Sequence, residues 1–344
     1  MHEVQKKRTP EERSMISVVL PMFNEEEAAP EVVRRVAAEF EDVGLDVEMV
    51  AVDDGSTDRT RAVLGELADR DARVVPVFLS RNFGKEAAMA AGIEAARGEA
   101  VLLMDSDLQH PPSLIPQMIQ CWLDGYDVVD AVKRSRGRES LLYKASATVF
   151  YTMMGEEVGP EFRKASDFKL LDRQAVDALL SLPERSRFLR GLVAWVGFDR
   201  TTVEFDVEER HSGETRWNLR ALIAYAMGNV VSFSVSPLLL TAWVGVLTTL
   251  VGVLLGAHTL YNYLSDNAVS GFTTVILLQV FFAGVTLLAI GVVSVYLAKV
   301  LEEVKARPAY LVRRERPSGA GGLAEGKVAG SVRVRMGIEA ERTA

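Results

Sequence analysis

Two aspartates one residue apart follow an apolar run and are cut off by prolines in Val101-Leu-Leu-Met-Asp-Ser-Asp-Leu-Gln-His-Pro-Pro112. Side chains alternate along a strand, so Asp105 and Asp107 are predicted to point the same way past the carboxyl edge of a sheet. That edge is where open α/β folds bind ligands. Carboxylate oxygens suit Mg²⁺ or Mn²⁺, and Mg²⁺ is ordinarily held by one or two carboxylates together with substrate phosphates. The chemistry implied is that of a substrate carrying a diphosphate. An Asp-x-Asp alone arises easily by chance, so its surroundings must supply the specificity.

Those surroundings begin with Ile16-Ser-Val-Val-Leu-Pro-Met-Phe-Asn-Glu25, a β-branched strand broken by Pro21, then an acidic helix start from Glu25 to Glu27. A second strand, Val47 to Val52, runs into Asp53-Asp54-Gly55-Ser56-Thr57-Asp58. Two carboxylates after a strand, followed by Gly and hydroxyl residues, can hold a nucleoside by its base and ribose. The same residues also make an N-cap with an acidic first turn. A third unit runs from Val74 to Leu79, through Ser80-Arg81-Asn82-Phe83-Gly84-Lys85-Glu86, into an Ala-rich helix from Ala87 to Arg97. Alternating strands and helices predict an α/β domain with a mostly parallel, doubly wound sheet. Neither Gly-x-Gly-x-x-Gly after the first strand nor Gly-x-x-x-x-Gly-Lys-Ser/Thr occurs, which removes the main support for dinucleotide and P-loop chemistry. Phosphates must then be neutralised by a metal and by cationic side chains.

The carboxyl-terminal part has a different character. No Asp, Glu, Lys or Arg occurs from Ala221 to Ser265, nor from Asn267 to Ala298. Each stretch exceeds the roughly 20 residues that cross a bilayer. Spans are expected at about 237–260 and 272–298, with Trp243, Tyr261, Tyr263 and Tyr296 as interfacial anchors. Arg216 and Arg220 precede the first span, Lys299, Lys305, Arg307, Arg313 and Arg314 follow the second, and the loop between has no Lys or Arg. The positive-inside rule puts both ends in the cytoplasm of a cell whose inner or plasma membrane holds the hairpin. No apolar core precedes Met15, so no signal peptide is expected. One cysteine, Cys121, excludes an intramolecular disulfide, and four histidines leave little for a zinc centre. A formal charge of -8 argues against a nucleic-acid binder. The expected organisation is an N-terminal arm (1–14), a catalytic domain (15–215), an interfacial helix (216–232), a two-span region (233–300) and a largely disordered tail (301–344).

Taken in order, PMFNE, VDDGSTD, SRNFGKEAAMAAG, DSDLQHPP, SDFKLLDR and the two spans resemble family 2 glycosyltransferases. More narrowly they resemble polyprenyl-phosphate glycosyltransferases, the group that includes dolichyl-phosphate mannose synthase and bactoprenol glucosyltransferases. The resemblance covers about Ser14 to Pro308. It implies a GT-A fold, a nucleotide-sugar donor, Mg²⁺ or Mn²⁺, a polyprenyl phosphate acceptor in a lipid bilayer, transfer with inversion, and a homo-oligomer. Residue by residue it implies nucleotide-sugar contacts from Pro21, Asn24, Glu25 and Asp54, with Asp53 and Asp58 nearby and Lys85 among the phosphate-facing cations. Asp105, Asp107 and Gln109 would organise metal and diphosphate, and Asp167 takes the position of a catalytic base.

A phosphate monoester with a second pKa near 6 is already largely a dianion at neutral pH, so a strong base is hardly needed. Asp167 has two alternatives: orienting the acceptor or stabilising the developing positive charge on the sugar, and capping a helix expected from Asp172 to Leu182. The repulsion between lipid phosphate and diphosphate calls for cations on both sides. Lys133, Arg134, Arg163, Arg210 and Arg216 are the candidates for the acceptor phosphate, Arg offering bidentate geometry. Arg216 stands where many relatives have Lys, and Trp217 to Tyr225 would lie along the bilayer surface. Gly245, Gly252 and Gly256 would let helices approach closely, within one chain or between chains. The branch resembled points to UDP-glucose or another UDP-hexose, with GDP-mannose as the alternative donor. A processive polysaccharide synthase lacks support because no Gln-x-x-Arg-Trp is present, and a scaffold or transporter has no use for Asp105, Asp107 and Asp167 together.

Overall fold

The computed structural model describes residues 15–41, 43–107, 110–134, 165–184, 188–205, 236–265 and 271–313. Its centre is a seven-stranded sheet of order β3-β2-β1-β4-β6-β5-β7. The strands are β1 (Met15–Met22), β2 (Asp46–Asp53), β3 (Val74–Phe78), β4 (Ala100–Leu103), β5 (Val128–Lys133), β6 (Ala165–Asp172) and β7 (Arg200–Phe205). β1 runs parallel to β2 and β4, β2 to β3, and β5 to β7. β6 alone is antiparallel to its neighbours β4 and β5. The mostly parallel α/β expectation holds.

Both faces of the sheet are covered, which is why β1 and β2 read as nearly unbroken apolar runs. On one face Ile16, Val18 and Leu20 of β1 pack with α1 (Ala29–Glu41), α2 (Thr60–Arg70) and α4 (Ile115–Leu123). α1 buries Ala29, Val32, Val33, Val36, Ala37 and Phe40, the three-and-four spacing of a helix stripe. On the other face Val19, Val50, Val52 and Leu103 pack with α3 (Lys85–Ala95), α5 (Arg173–Ser181) and α6 (Leu189–Trp195). Gly92 of α3 lies so close to Val19 that a Cβ would collide with it, which lets the helix pack directly on β1.

Pro21 does not break β1 as expected; the strand continues to Met22. Val19 and Pro21 turn their backbone groups toward β4, as the bonds from Met104 N to Val19 O and from Ser106 Oγ to Pro21 O demonstrate. The β1–β4 ladder ends at the Val19–Leu103 pair, so the missing N–H of Pro21 removes no ladder bond.

The carboxyl-terminal region forms α7 (Ser236–Leu264) and α8 (Phe272–Val304), both long and apolar enough to cross a membrane. They outrun the expected spans, and Gly252 faces Phe282 of the partner helix, whereas Gly245 and Gly256 face open space. The tail expected from 301 is not disordered at its beginning. α8 continues to Val304, and residues 310–313 return to the exposed edge of β3. Ser80 N donates to Leu311 O at 2.8 Å and Arg313 N to Phe78 O at 2.7 Å. Tyr310 bonds the Glu94 carboxylate and packs under α3. An unpaired strand edge attracts such pairing; the composition of the tail masked it. The arm (1–14), the interfacial helix (216–232) and the tail beyond 313 lie outside the described residues.

Candidate active site

Three loops gather at the carboxyl edge of β1, β2 and β3. Asn24, with a left-handed φ of 57°, folds the first back on the second. Its side-chain oxygen accepts Thr57 N at 2.8 Å, while its own N–H reaches Ser56 Oγ at 2.9 Å. Glu25 N bonds Thr60 Oγ1 at 2.8 Å. Gly55, at φ 68°, lies so near the backbone of Arg81 and Asn82 that a Cβ would collide with it, so the third loop closes over the second.

The paired aspartates of this loop differ in task. Asp53 accepts Ser56 N at 2.9 Å, and Asp54 accepts both Phe83 N at 2.7 Å and Gly84 N at 2.9 Å. Burial raises the Asp54 pKa against those two N–H groups. Asp54 therefore shapes the turn that leads into Lys85. Asp58 accepts the N–H and hydroxyl of Thr60 and the N–H of Glu26. These bonds outweigh burial and hold its carboxyl below the ordinary value. Asn24, Asp53, Asp54 and Asp58 all bond the local loop framework, but α2 starts after Arg59 with no side-chain cap and no acidic residue in its first turn, so the N-cap alternative does not describe them.

The reacting centre comes from sheet register. Leu103 of β4 pairs with Lys169 of antiparallel β6. Two further residues along each chain are Asp105 and Asp167, which that register sets opposite each other. β4 ends at Leu103, so Asp105 and Asp107 stand in the turn beyond it, past the strand end. Lys85, from the first turn of α3, bridges the gap: its Nζ lies 2.6 Å from Asp105 Oδ1 and 2.6 Å from Asp167 Oδ2. Arg190 of α6 binds the other oxygen of Asp167 through Nε.

Electrostatics follow from this geometry. Burial would lower the Lys85 pKa, but the Asp105 and Asp167 carboxylates outweigh it and hold the ammonium above its ordinary value. Burial would raise Asp167, yet hydrogen bonds and charge from Arg190 and Lys85 hold its carboxyl far below the usual range. Burial, then the Asp107 and Asp58 carboxylates, raises the Glu25 pKa. Asp58 and Asp107 therefore each lie near enough to Glu25 to repel its carboxylate. Among the described residues no group of three or more His, Cys, Asp or Glu is placed to hold a metal ion. Two carboxylates completed by substrate phosphates suit Mg²⁺, so the donor set fits.

Three contributors escaped the sequence. His110 is buried, stacks on Phe168 with centroids 5.1 Å apart, and presents Nδ1 to Asp105 N at 3.4 Å. Burial lowers its pKa and keeps it neutral. Arg190 and Glu86 sit on helices whose sequence marks them only as solvated charges. Of the acceptor-side candidates, Lys133 closes β5, its side chain lying outside the described residues, and Arg134 is exposed, 3.5 Å from Glu204. Gln109, Arg163, Arg210 and Arg216 lie outside the described residues. Asp172, not Asp167, caps α5 by accepting Gln174 N at 2.9 Å, so the helix-cap alternative for Asp167 fails.

Residues 17–180 match the family model for glycosyl transferase family 2. An uncharacterized glycosyltransferase of Synechocystis is 38% identical over 302 residues, 86% of this chain and 94% of that protein. A prophage bactoprenol glucosyl transferase homolog of Escherichia coli K12 is 35% identical, covering 87% of this chain and 98% of its own length. A prophage-derived bactoprenol glucosyl transferase of Shigella flexneri is 36% identical, over 87% and 97%. Glucosyl-3-phosphoglycerate synthase of Mycobacterium tuberculosis, solved with Mg²⁺ and UDP, aligns over 63% of this chain and 77% of its own. That alignment has a TM-score of 0.48 and 24% identity, too slight a likeness to bear on the chemistry. The full-length relatives settle the lineage: the chain belongs to glycosyltransferase family 2.

Proposed function

We propose that this glycosyltransferase moves a hexose, glucose by preference, from a UDP-sugar to polyprenyl phosphate at a membrane surface, with inversion. The observation that carries this reading is the Asp105–Lys85–Asp167 bridge at the sheet edge. Supporting it, the similarity to bactoprenol glucosyl transferases extends over nearly nine-tenths of the chain, more than the family model spans.

The nucleotide would enter over the loops built by Asn24, Asp53 and Asp54, with Pro21 and Glu25 at the base of the cleft. A divalent ion bound to Asp105 and Asp107 would neutralise charge on the leaving diphosphate. Lys85 supplies a second, tethered cation beside it. The acceptor phosphate, already a dianion, attacks the anomeric carbon without needing its proton removed. Asp167 suits that role division: a carboxyl whose pKa is driven down by two cations is a poor base and a good anchor. It orients Lys85 and Arg190 beside the sugar. β5 ends at the same edge, since Val132 pairs with Ala165, which supports Lys133 and Arg134 as acceptor-side cations, with Arg163, Arg210 and Arg216 proposed to join them.

The return of residues 310–313 to β3 brings the end of α8 back to the catalytic domain, which favours two crossings and cytoplasmic termini. A homo-oligomer packed through these hairpins completes the proposal. Donor identity is tested by incubating the full chain with polyprenyl phosphate and a panel of UDP- and GDP-sugars. Preferential use of UDP-glucose is expected, and exclusive use of GDP-mannose would overturn the donor assignment.

A further inference from the structure

Helices α3 and α6 meet across the site through two adjacent pairs of residues. Lys85 and Glu86 open α3, and Leu189 and Arg190 open α6. One member of each pair, Lys85 and Arg190, grips Asp167. The other two grip each other, Glu86 Oε2 accepting the Leu189 N–H at 3.0 Å. The contacts close a ring that runs Asp167, Lys85, Glu86, Leu189, Arg190 and back to Asp167.

α6 has only seven residues, too few to be stable by propensity, so tertiary contacts must place it. Its first N–H groups have no partners within the helix, and Glu86 meets one of them. Buried Leu189, Leu192 and Val193 press the helix onto the sheet. Apolar packing is non-directional and fixes the rotation of so short a helix poorly. A hydrogen bond at its first turn fixes that rotation, and with it the direction in which the next residue, Arg190, leaves the backbone.

We propose that Glu86 is a positioning residue for Arg190: by tying the first turn of α6 to α3, it sets where the guanidinium meets Asp167 and how the two cations are spaced at the reacting centre. The inference rests on Asp167 being the anchor beside the sugar. Burial, with the Asp167 carboxylate adding to it, pushes Glu86 up to about 7 against the Leu189 N–H, Lys85 and Arg190. The tether therefore changes charge near neutrality, and the ionised carboxylate is the stronger acceptor. Facing it are Lys85 from α3, Asp167 from β6 and Arg190 from α6.

The test is a double-mutant cycle in the full-length chain, with E86A, R190A, the pair together, and E86Q as the conservative variant. E86A should lower kcat about 10-fold while donor KM stays within about 2-fold, and E86A/R190A should be no slower than R190A alone. E86Q keeps an oxygen acceptor and should stay within about 3-fold of wild type near pH 8. It should also lose the wild-type fall in kcat centred near pH 7, keeping only the fall near pH 6 that belongs to the acceptor phosphate. Independent, multiplying losses from E86A and R190A, wild-type kcat in E86A, or E86Q as slow as E86A would each overturn the proposal. Should E86A not fold, a limb near pH 7 that persists in E86Q overturns it. A wild-type chain that transfers no sugar to any lipid phosphate contradicts the proposed function instead. Thermal unfolding of the same four proteins then reads the coupling directly, and additive shifts overturn it.

Discussion

Asp167→Asn removes one negative charge from between two cations and leaves the shape of the side chain almost unchanged. In the wild type the Asp167 side chain is 11% exposed, against 43% for Lys85 and 37% for Arg190. Two unit charges about 4 Å apart interact by about 4 kcal/mol at an effective dielectric of about 20. The partly exposed cations halve this to about 2 kcal/mol per pair. Relief of carboxylate desolvation offsets roughly half of the combined gain, which leaves a net loss of about 2 kcal/mol. For a domain of this size that corresponds to a fall in Tm of about 4–8 °C. The pH dependence has a definite sign. The folded carboxyl titrates below its unfolded value of about 3.9, so the stabilisation is complete above about pH 5 and is lost as pH falls through the folded value. Melting curves of both proteins between about pH 3 and 8 should show a constant gap at neutral pH that closes in acid. Asp167→Asn should also lower kcat on the order of 10²-fold, the usual cost of losing one fixed electrostatic contact in an active site. Equal Tm values at pH 7 would refute the anchor argument. So would a limb between about pH 5 and 8 in the wild-type kcat profile that Asp167→Asn abolishes and E86Q leaves in place, because that limb would be the signature of a base.

Other perturbations probe separate parts of the account. Asp107→Ala should abolish metal-dependent transfer, by about 10³-fold or more, with little change in Tm; unaltered turnover contradicts the metal assignment. Lys85→Met keeps length but leaves Asp105 and Asp167 without their shared cation, and kcat/KM for the donor should fall about 10²-fold. Arg313→Pro deletes the N–H given to Phe78 and should cost about 1 kcal/mol, whereas truncation after Pro317 should be silent in both melting and transfer. Loss of transfer on that truncation would show that the remaining tail takes part.

The motifs around Asn24, Asp54, Lys85 and Asp105 were legible in sequence because they follow strands: strand ends, Gly and Pro punctuation and carboxylates need no tertiary knowledge. The opposition of Asp105 and Asp167 was not, since it depends on β6 running antiparallel at the Leu103–Lys169 register, between residues far apart in the chain. Arg190 and Glu86 looked like ordinary helix charges for the same reason. A Lys-Glu pair opening a helix directly after the Gly84 turn was the only available signal. His110 was visible but unplaceable until Phe168 was set beneath it. The pairing of residues 310–313 was not legible because edge pairing is a property of β3, not of the segment that joins it. Pro21 was misjudged because its tolerance depends on where β4 stops.

The most direct measurement is transfer of radiolabelled glucose from UDP-glucose to undecaprenyl phosphate by the purified full-length chain in detergent, with Mg²⁺ or Mn²⁺ and with EDTA. An organic-extractable product that forms with metal and vanishes with EDTA is the predicted result. Label that stays entirely in the aqueous phase, from protein that still binds UDP, would contradict the assignment of a lipid phosphate acceptor.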